Sequence, residues 1–144
     1  MAEAARISIA QFEDILEASL PVAVAWGMET VEIGHGHAIM RIPYDHGVLR
    51  PGGTIGGPVL MALADVAMYA AVLGAIGPEP LAVTSSLSIN FLAKPAPASL
   101  RAEAKLLRLG KRLAVGEVEL FSEGADAMVA HVVATYALPS GSAA

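Results

Sequence analysis

Apolar residues Ile9, Phe12, Ile15, Leu16 and Leu20 recur at helical spacing directly after Ser8. Ser8 and Gln11 match a capping box, so the spacing predicts an amphipathic helix over residues 8–19 that stops before Pro21. Residues 28–42 are β-compatible around Gly34-His35-Gly36 and predict a hairpin whose turn uses glycine at positive φ. From Asp45 to Gly57 the chain holds five glycines and a proline in thirteen residues, too many breakers for an element interior. This segment reads as a loop, and loops carry sites.

Pro58 to Ile76 is nineteen residues with a single charge, Asp65. By length it would reach across a membrane. A mid-span Asp, however, costs ~2.5 to 3.5 kcal/mol on insertion scales, no aromatic or basic anchors flank the stretch, and many of its residues are Ala. The expectation is a helix buried on all sides by its own protein, opened by Pro58 and ended by Gly74 to Pro78. The second half of the chain supplies the cover. Val83, Ser85, Leu87, Ile89 and Phe91 alternate with Thr84, Ser86, Ser88 and Asn90, the period-2 signature of a strand with one apolar face. Three further strands are expected near 100–109, 112–121 and 128–138, set apart by Lys94-Pro95-Ala96-Pro97, Gly110-Lys111 and Ser122 to Asp126. The order predicts one α+β domain over 1–138, an antiparallel sheet around a long central helix, with a frayed tail at 139–144.

Composition narrows the classes. A chain of 144 residues is one ordinary domain, which excludes separate cofactor and substrate lobes. With 55% hydrophobic and 16% charged residues it has ample apolar surface to fold. Its mean hydropathy of +0.58 predicts further burial between subunits, and so an oligomer. Nine basic against fourteen acidic residues, 9 − 14 = −5, disfavour a nucleic-acid partner. Zero cysteines exclude thiolate nucleophiles and cysteine metal sites and fit a reducing compartment. The first residues lack the basic-then-apolar order of a signal peptide, so a cytoplasmic location without a membrane partner is expected.

Asp65 is the strongest chemical signal. Its neighbours on the same helix face are Met61, Ala62, Met68 and Tyr69, none able to pair with its charge. It has a partner elsewhere, holds a raised pKa, or does chemistry; the plainer alternative is a structural Asp bonded to a strand. Gly56-Gly57-Pro58 at the helix start is either a tight turn or a set of free backbone N–H groups for an oxyanion or phosphate. Asp65 lies eight residues past Gly57, roughly 12 Å along one helix. That is beyond hydrogen-bond reach of a common reacting atom, so a site using both takes Gly57 from one subunit and Asp65 from another.

The stretches GGPVLMALADVAMYAAVL, VTSSLSINFLAKPA and AEAKLLRLGKRLAVGEVEL, in this order and spacing, resemble the hotdog-fold acyl-CoA thioesterases, PaaI-like branch of the 4-hydroxybenzoyl-CoA thioesterase superfamily. The resemblance runs from about Phe12 to Leu138. It implies a hotdog fold, a dimer with two interfacial sites, often paired into tetramers, and a coenzyme A thioester as substrate. It also implies Asp65 as the helix carboxylate, either a general base toward water or a nucleophile that forms an anhydride, Gly57 as the backbone donor to the thioester carbonyl, and Thr84 as the hydroxyl that in some members helps hold the attacking water. The chain departs from the family pattern at two places. Gly56-Gly57-Pro58 stands where the motif reads His-Gly-Gly, and Arg50 stands where many members place Asn or Gln. Gly57 keeps its backbone donor regardless; Arg50 either donates to the carbonyl, binds substrate, or pairs with Asp65 and quenches it.

Gly56, Met61, Met68 and Tyr69 are candidate substrate contacts, although Met or Tyr at helical spacing also describes plain core. Arg108, Lys111 and Arg112 around Gly110 are the densest positive charge and suit coenzyme A phosphates, with Lys94 a weaker candidate; a solvated turn is the alternative. His35, His37, His46 and His131 lack metal-ligand spacing, and thioester hydrolysis of this type calls for no metal or cofactor. Two other readings compete: a dehydratase or hydratase of 3-hydroxyacyl thioesters using His46, and an acyl-thioester-binding module in which Arg50 holds Asp65 as an ion pair.

Overall fold

The computed structural model describes residues 3–140, so the last four residues of the expected tail lie outside the described residues. Helix α1, Ile9–Ser19, starts as its capping box dictates: the Gln11 N–H donates to Ser8 Oγ at 3.1 Å, and the Ser8 N–H donates to Gln11 Oε1 at 2.9 Å. Its buried face carries Phe12 and Leu16. Pro21 does not lead into a loop but opens a second short helix, α2, Pro21–Ala25, because proline at the first helical position lacks only an N–H that would be unpaired there anyway. Strands β1, Glu29–Gly34, and β2, His37–Ile42, form the expected hairpin, with Gly36 at φ 81° in the turn.

The glycine-rich stretch is more ordered than its composition suggests. After a 3-10 turn at His46–Val48, two minimal strands, β3 Leu49–Arg50 and β4 Thr54–Ile55, pair across Gly52 and Gly53, at φ 100° and 77°. The Tyr44 hydroxyl donates to the Gly53 carbonyl and pins this hairpin. Helix α3, Gly57–Ile76, follows at once, and fifteen of its twenty residues are buried. It is long and apolar enough to span a membrane, but its apolar surface is covered by the chain's own sheet.

Strands β5 Val83–Phe91, β6 Leu100–Leu109, β7 Leu113–Ser122 and β8 Met128–Ala137 complete a six-stranded antiparallel sheet of order β1-β2-β6-β7-β8-β5. The sheet curls around α3, whose residues pack on all six strands. Strict alternation in β7 points Ala114, Val118 and Leu120 at the helix, and β8 does the same with Ala130, Val132, Ala134 and Tyr136. This is the α+β hotdog architecture. Both edge strands carry a bulge, but they differ in chemistry: β1 presents Glu29 and Glu32, whereas β5 exposes the apolar Val83 and Phe91.

Candidate active site

A β-bulge decides where Thr84 points. Plain alternation along β5 sets Thr84 on the face opposite Leu87, Ile89 and Phe91. The register with β8 slips between Thr84 and Ser86, so Thr84 joins those apolar residues on the helix side. There its hydroxyl donates to Asp65 Oδ1 at 2.7 Å. The Tyr136 hydroxyl, from the inward face of β8, reaches the same oxygen at 2.8 Å and the Asp65 carbonyl at 3.0 Å. Two hydroxyls on one carboxylate oxygen fix the rotation of the side chain and leave Oδ2 without a hydrogen bond among the described residues. Burial, and then the Asp65 charge beside it, push Tyr136 well above the ordinary tyrosine range, so it stays a neutral donor.

Asp65 borders a small cleft of about 200 Å³ shared with Ser19, Leu20, Tyr69, Val83 and Thr84. Tyr69 is 5% exposed, donates to the Pro80 carbonyl at 2.9 Å, and lies between Phe12 and Tyr136 at ring distances of 5.6 and 6.0 Å. Burial raises its pKa as well. Its ring therefore props the cleft wall.

The other candidate donor sits in a different place. The Gly56 carbonyl accepts from Val59 and Leu60 at 3.0 and 3.1 Å, and Pro58 has no N–H. Gly57 thus contributes the one unpaired N–H of the first helical turn among the described residues, aligned with the positive end of the helix dipole. It opens on a larger pocket of about 520 Å³ lined by Arg50, Thr54, Leu60, Phe91 and Lys94 among others. A Cβ at Gly57 would stand 3.3 Å from the Phe91 ring, so only glycine leaves the donor clear without displacing that ring. Thr54 is 3% exposed, and its hydroxyl has no hydrogen-bond partner among the described residues. A buried hydroxyl left so costs about 1 to 3 kcal/mol.

The sequence candidates therefore fall into groups. Asp65, Thr84 and Tyr69 share one cleft; Gly57 and Arg50 share the other, with Gly56 capping the helix between Arg50 and Pro58. Arg50 makes no ion pair with Asp65 within the chain. Met68 requires correction as a substrate contact: it is 0% exposed, and its sulfur packs so closely on Gly116 that a Cβ there would lie 2.7 Å away. Uniform apolarity of α3 hid which of its sides faces the sheet. Met61 is 40% exposed and lines neither pocket. Arg108, Lys111 and Arg112 are exposed at the β6–β7 turn. The Leu138 N–H donates to the Arg112 carbonyl at 2.8 Å, placing this basic turn at the Asp65 end of the sheet. Sequence reasoning missed Tyr136 and Thr54. An inward tyrosine on an alternating strand needs a partner for its hydroxyl, a signal that pointed to Asp65; a threonine among glycines offers none. Among the described residues no group of His, Asp and Glu is arranged to hold a metal ion.

Comparison with known proteins places this arrangement. The family model described as Thioesterase superfamily matches residues 52–128. The chain is 26% identical over 97 residues to the 1,4-dihydroxy-2-naphthoyl-CoA hydrolase of Listeria monocytogenes, spanning 67% of this chain and 79% of that one. Among solved structures, a candidate thioesterase of Silicibacter sp. TM1040 superposes with a TM-score of 0.84 at 40% identity, covering 94% of each chain. A mutant form of the phenylacetic acid degradation protein PaaI of Thermus thermophilus gives 0.72 at 30% identity over 83% of this chain and 99% of that one.

Proposed function

The chain belongs to the thioesterase superfamily, and on that premise we propose that it hydrolyses acyl-CoA thioesters to a free acid and coenzyme A at a site shared between two copies. Thioester hydrolysis is the chemistry of the family; the acyl-CoA substrate, the role of Asp65 and the shared site are the reading advanced here. The observation that carries it is the division of the parts. A carboxylate with one oxygen clamped and one free lies at one cleft, and an unpaired helix N–H lies at another, eight residues away on the same helix.

Strand β5 supplies a way to join them. Its Thr84 end stands beside Asp65, its Phe91 end beside Gly57, and its far side is unpaired. Antiparallel pairing of two β5 edges about a two-fold axis at Ser88 sets Phe91 of one copy opposite the Thr84-to-Ser86 bulge of the other. The carbonyl donor of one copy then faces the carboxylate of its partner. In the reaction, Asp65 Oδ2 accepts a proton from water as the water oxygen attacks the thioester carbon. Negative charge gathers on the carbonyl oxygen, where the Gly57 N–H and the helix dipole stabilise it. Collapse of the tetrahedral intermediate breaks the carbon–sulfur bond and expels the coenzyme A thiolate. Thr84 and Tyr136 hold the carboxylate in place; the basic turn at Arg108, Lys111 and Arg112, at the Asp65 end, suits the nucleotide phosphates.

The test is thiol release from short, medium, long and aryl acyl-CoAs by the wild type, Asp65→Asn and Arg50→Ala. The reading expects turnover of at least one class and a loss on the order of 10² to 10⁴ in Asp65→Asn. Binding of acyl-CoA without thiol release, or an Asp65→Asn variant as active as wild type, would replace it with the binding-module alternative.

A further inference from the structure

Arg50 and Thr54 are cross-strand partners in the β3–β4 hairpin, so their side chains leave it on the same face. Both line the 520 Å³ pocket at the start of α3, and Lys94 enters it from beyond the end of β5. Neither Arg50 nor Lys94 forms an ion pair among the described residues, although the chain carries net charge −5. The remaining walls are mostly apolar, with Ile55, Leu60, Phe91 and Leu92. Two unmatched cations, an unpartnered hydroxyl that is 3% exposed and a free helix N–H thus converge on one apolar pocket. Arg50 and Lys94 are exposed at the mouth of the pocket, where a wholly hydrocarbon guest would leave both without a partner.

We propose that this pocket selects thioesters whose acyl portion carries its own carboxylate, with Arg50 and Lys94 as the counter-charges and Thr54 as a hydroxyl donor. This rests on the thioesterase reading and adds the substrate class. Arg50 suits the task because its planar fork matches a carboxylate with two parallel hydrogen bonds. The same cations would also suit a phosphate of the thiol carrier, so the experiment separates the two anions.

The full-length chain is assayed with ω-carboxyacyl-CoA and unsubstituted acyl-CoA of equal carbon number, then with the same acyl groups on N-acetylcysteamine, which has no phosphates. The expected result is a preference for the carboxyacyl ester of about tenfold or more in kcat/KM on both carriers. Arg50→Gln and Lys94→Gln each bring that ratio toward one. Equal or reversed preference in the wild type overturns the proposal, as does a ratio that survives both substitutions. A rise in KM for every CoA ester alike in the variants, with no carboxylate preference on N-acetylcysteamine, assigns the cations to the carrier and also overturns it. Turnover of unsubstituted esters without carboxylate preference defeats this proposal alone, whereas no turnover of any thioester defeats the hydrolase reading. In that second case calorimetry still decides: tighter binding of the carboxyacyl ester, lost in Arg50→Gln, upholds the proposal, and equal binding of both esters overturns it.

Discussion

At the Asp65 end of the stretch of α3 from Gly57 to Asp65 the polar groups have found one another inside the chain: Thr84 and Tyr136 both donate to one carboxylate oxygen, and Tyr69 bonds the Pro80 carbonyl. At the Gly57 end, eight residues earlier, the polar groups have not: the Gly57 N–H, the Thr54 hydroxyl, Arg50 and Lys94 all lack partners among the described residues. The first end is pre-organised, with the Asp65 carboxylate held by two hydroxyls, of which burial keeps at least Tyr136 neutral. The second is complementary to something absent from the single chain. Under the proposed mechanism neither end is a hydrolytic site by itself, since one supplies a base without a carbonyl donor and the other a donor without a base.

Among substitutions that leave Asp65 in place, crowding the second end should produce the largest change. Gly57→Val places methyl groups between the N–H and the pocket, next to the Phe91 ring that already stands 3.3 Å from the Cβ position. A fall on the order of a hundredfold in kcat/KM is expected, with thermal unfolding shifted little because the position is the first of the helix. Loosening the first end should cost less. Thr84→Val and Tyr136→Phe each remove one donor to Asp65 Oδ1, and each should lower kcat by about tenfold while KM stays close to wild type. A matching rise in KM would show instead that these hydroxyls shape the substrate pocket.

The smallest effect lies away from both ends, on the outer face of the sheet, where His131 Nε2 lies 3.0 Å from Glu117 Oε1. The hydrogen bond to His131, chiefly, holds the Glu117 carboxyl below its ordinary value. A depressed carboxylate contributes stability above its unfolded value near 4.5 and loses it as pH falls through its lower folded value. Glu117→Gln should therefore cost a few tenths of a kcal/mol near neutrality, a difference that vanishes in acid unfolding titrations below that range, with thioester turnover untouched.

How far these features were legible in the sequence follows from the range of the interactions. The long helix was plain because its apolarity is continuous, and the four later strands because each alternates between breakers. The same continuity concealed that Met68 faces Gly116 and β7 while Asp65 faces β5 and β8. Asp65, Gly57 and the separation between them were readable from spacing alone. The bulge that turns Thr84 inward is a register slip between two strands forty-odd residues apart, and no local pattern announces it. The pairing of Arg50 with Thr54 depends on a two-residue hairpin inside a stretch whose composition says only loop.

The central claim, that Gly57 of one copy works with Asp65 of another, is tested most directly by mixing two disabled variants. Asp65→Asn and Gly57→Val chains, each weakened on the order of a hundredfold or more alone, are unfolded together, refolded, and assayed for thiol release from an acyl-CoA that the wild type turns over. Half of randomly re-paired dimers are mixed and each holds one intact site, so about a quarter of wild-type activity should return. Activity no higher than that of the separate variants, in a sample shown to contain mixed dimers, would contradict a shared site and place both groups in the service of a single chain.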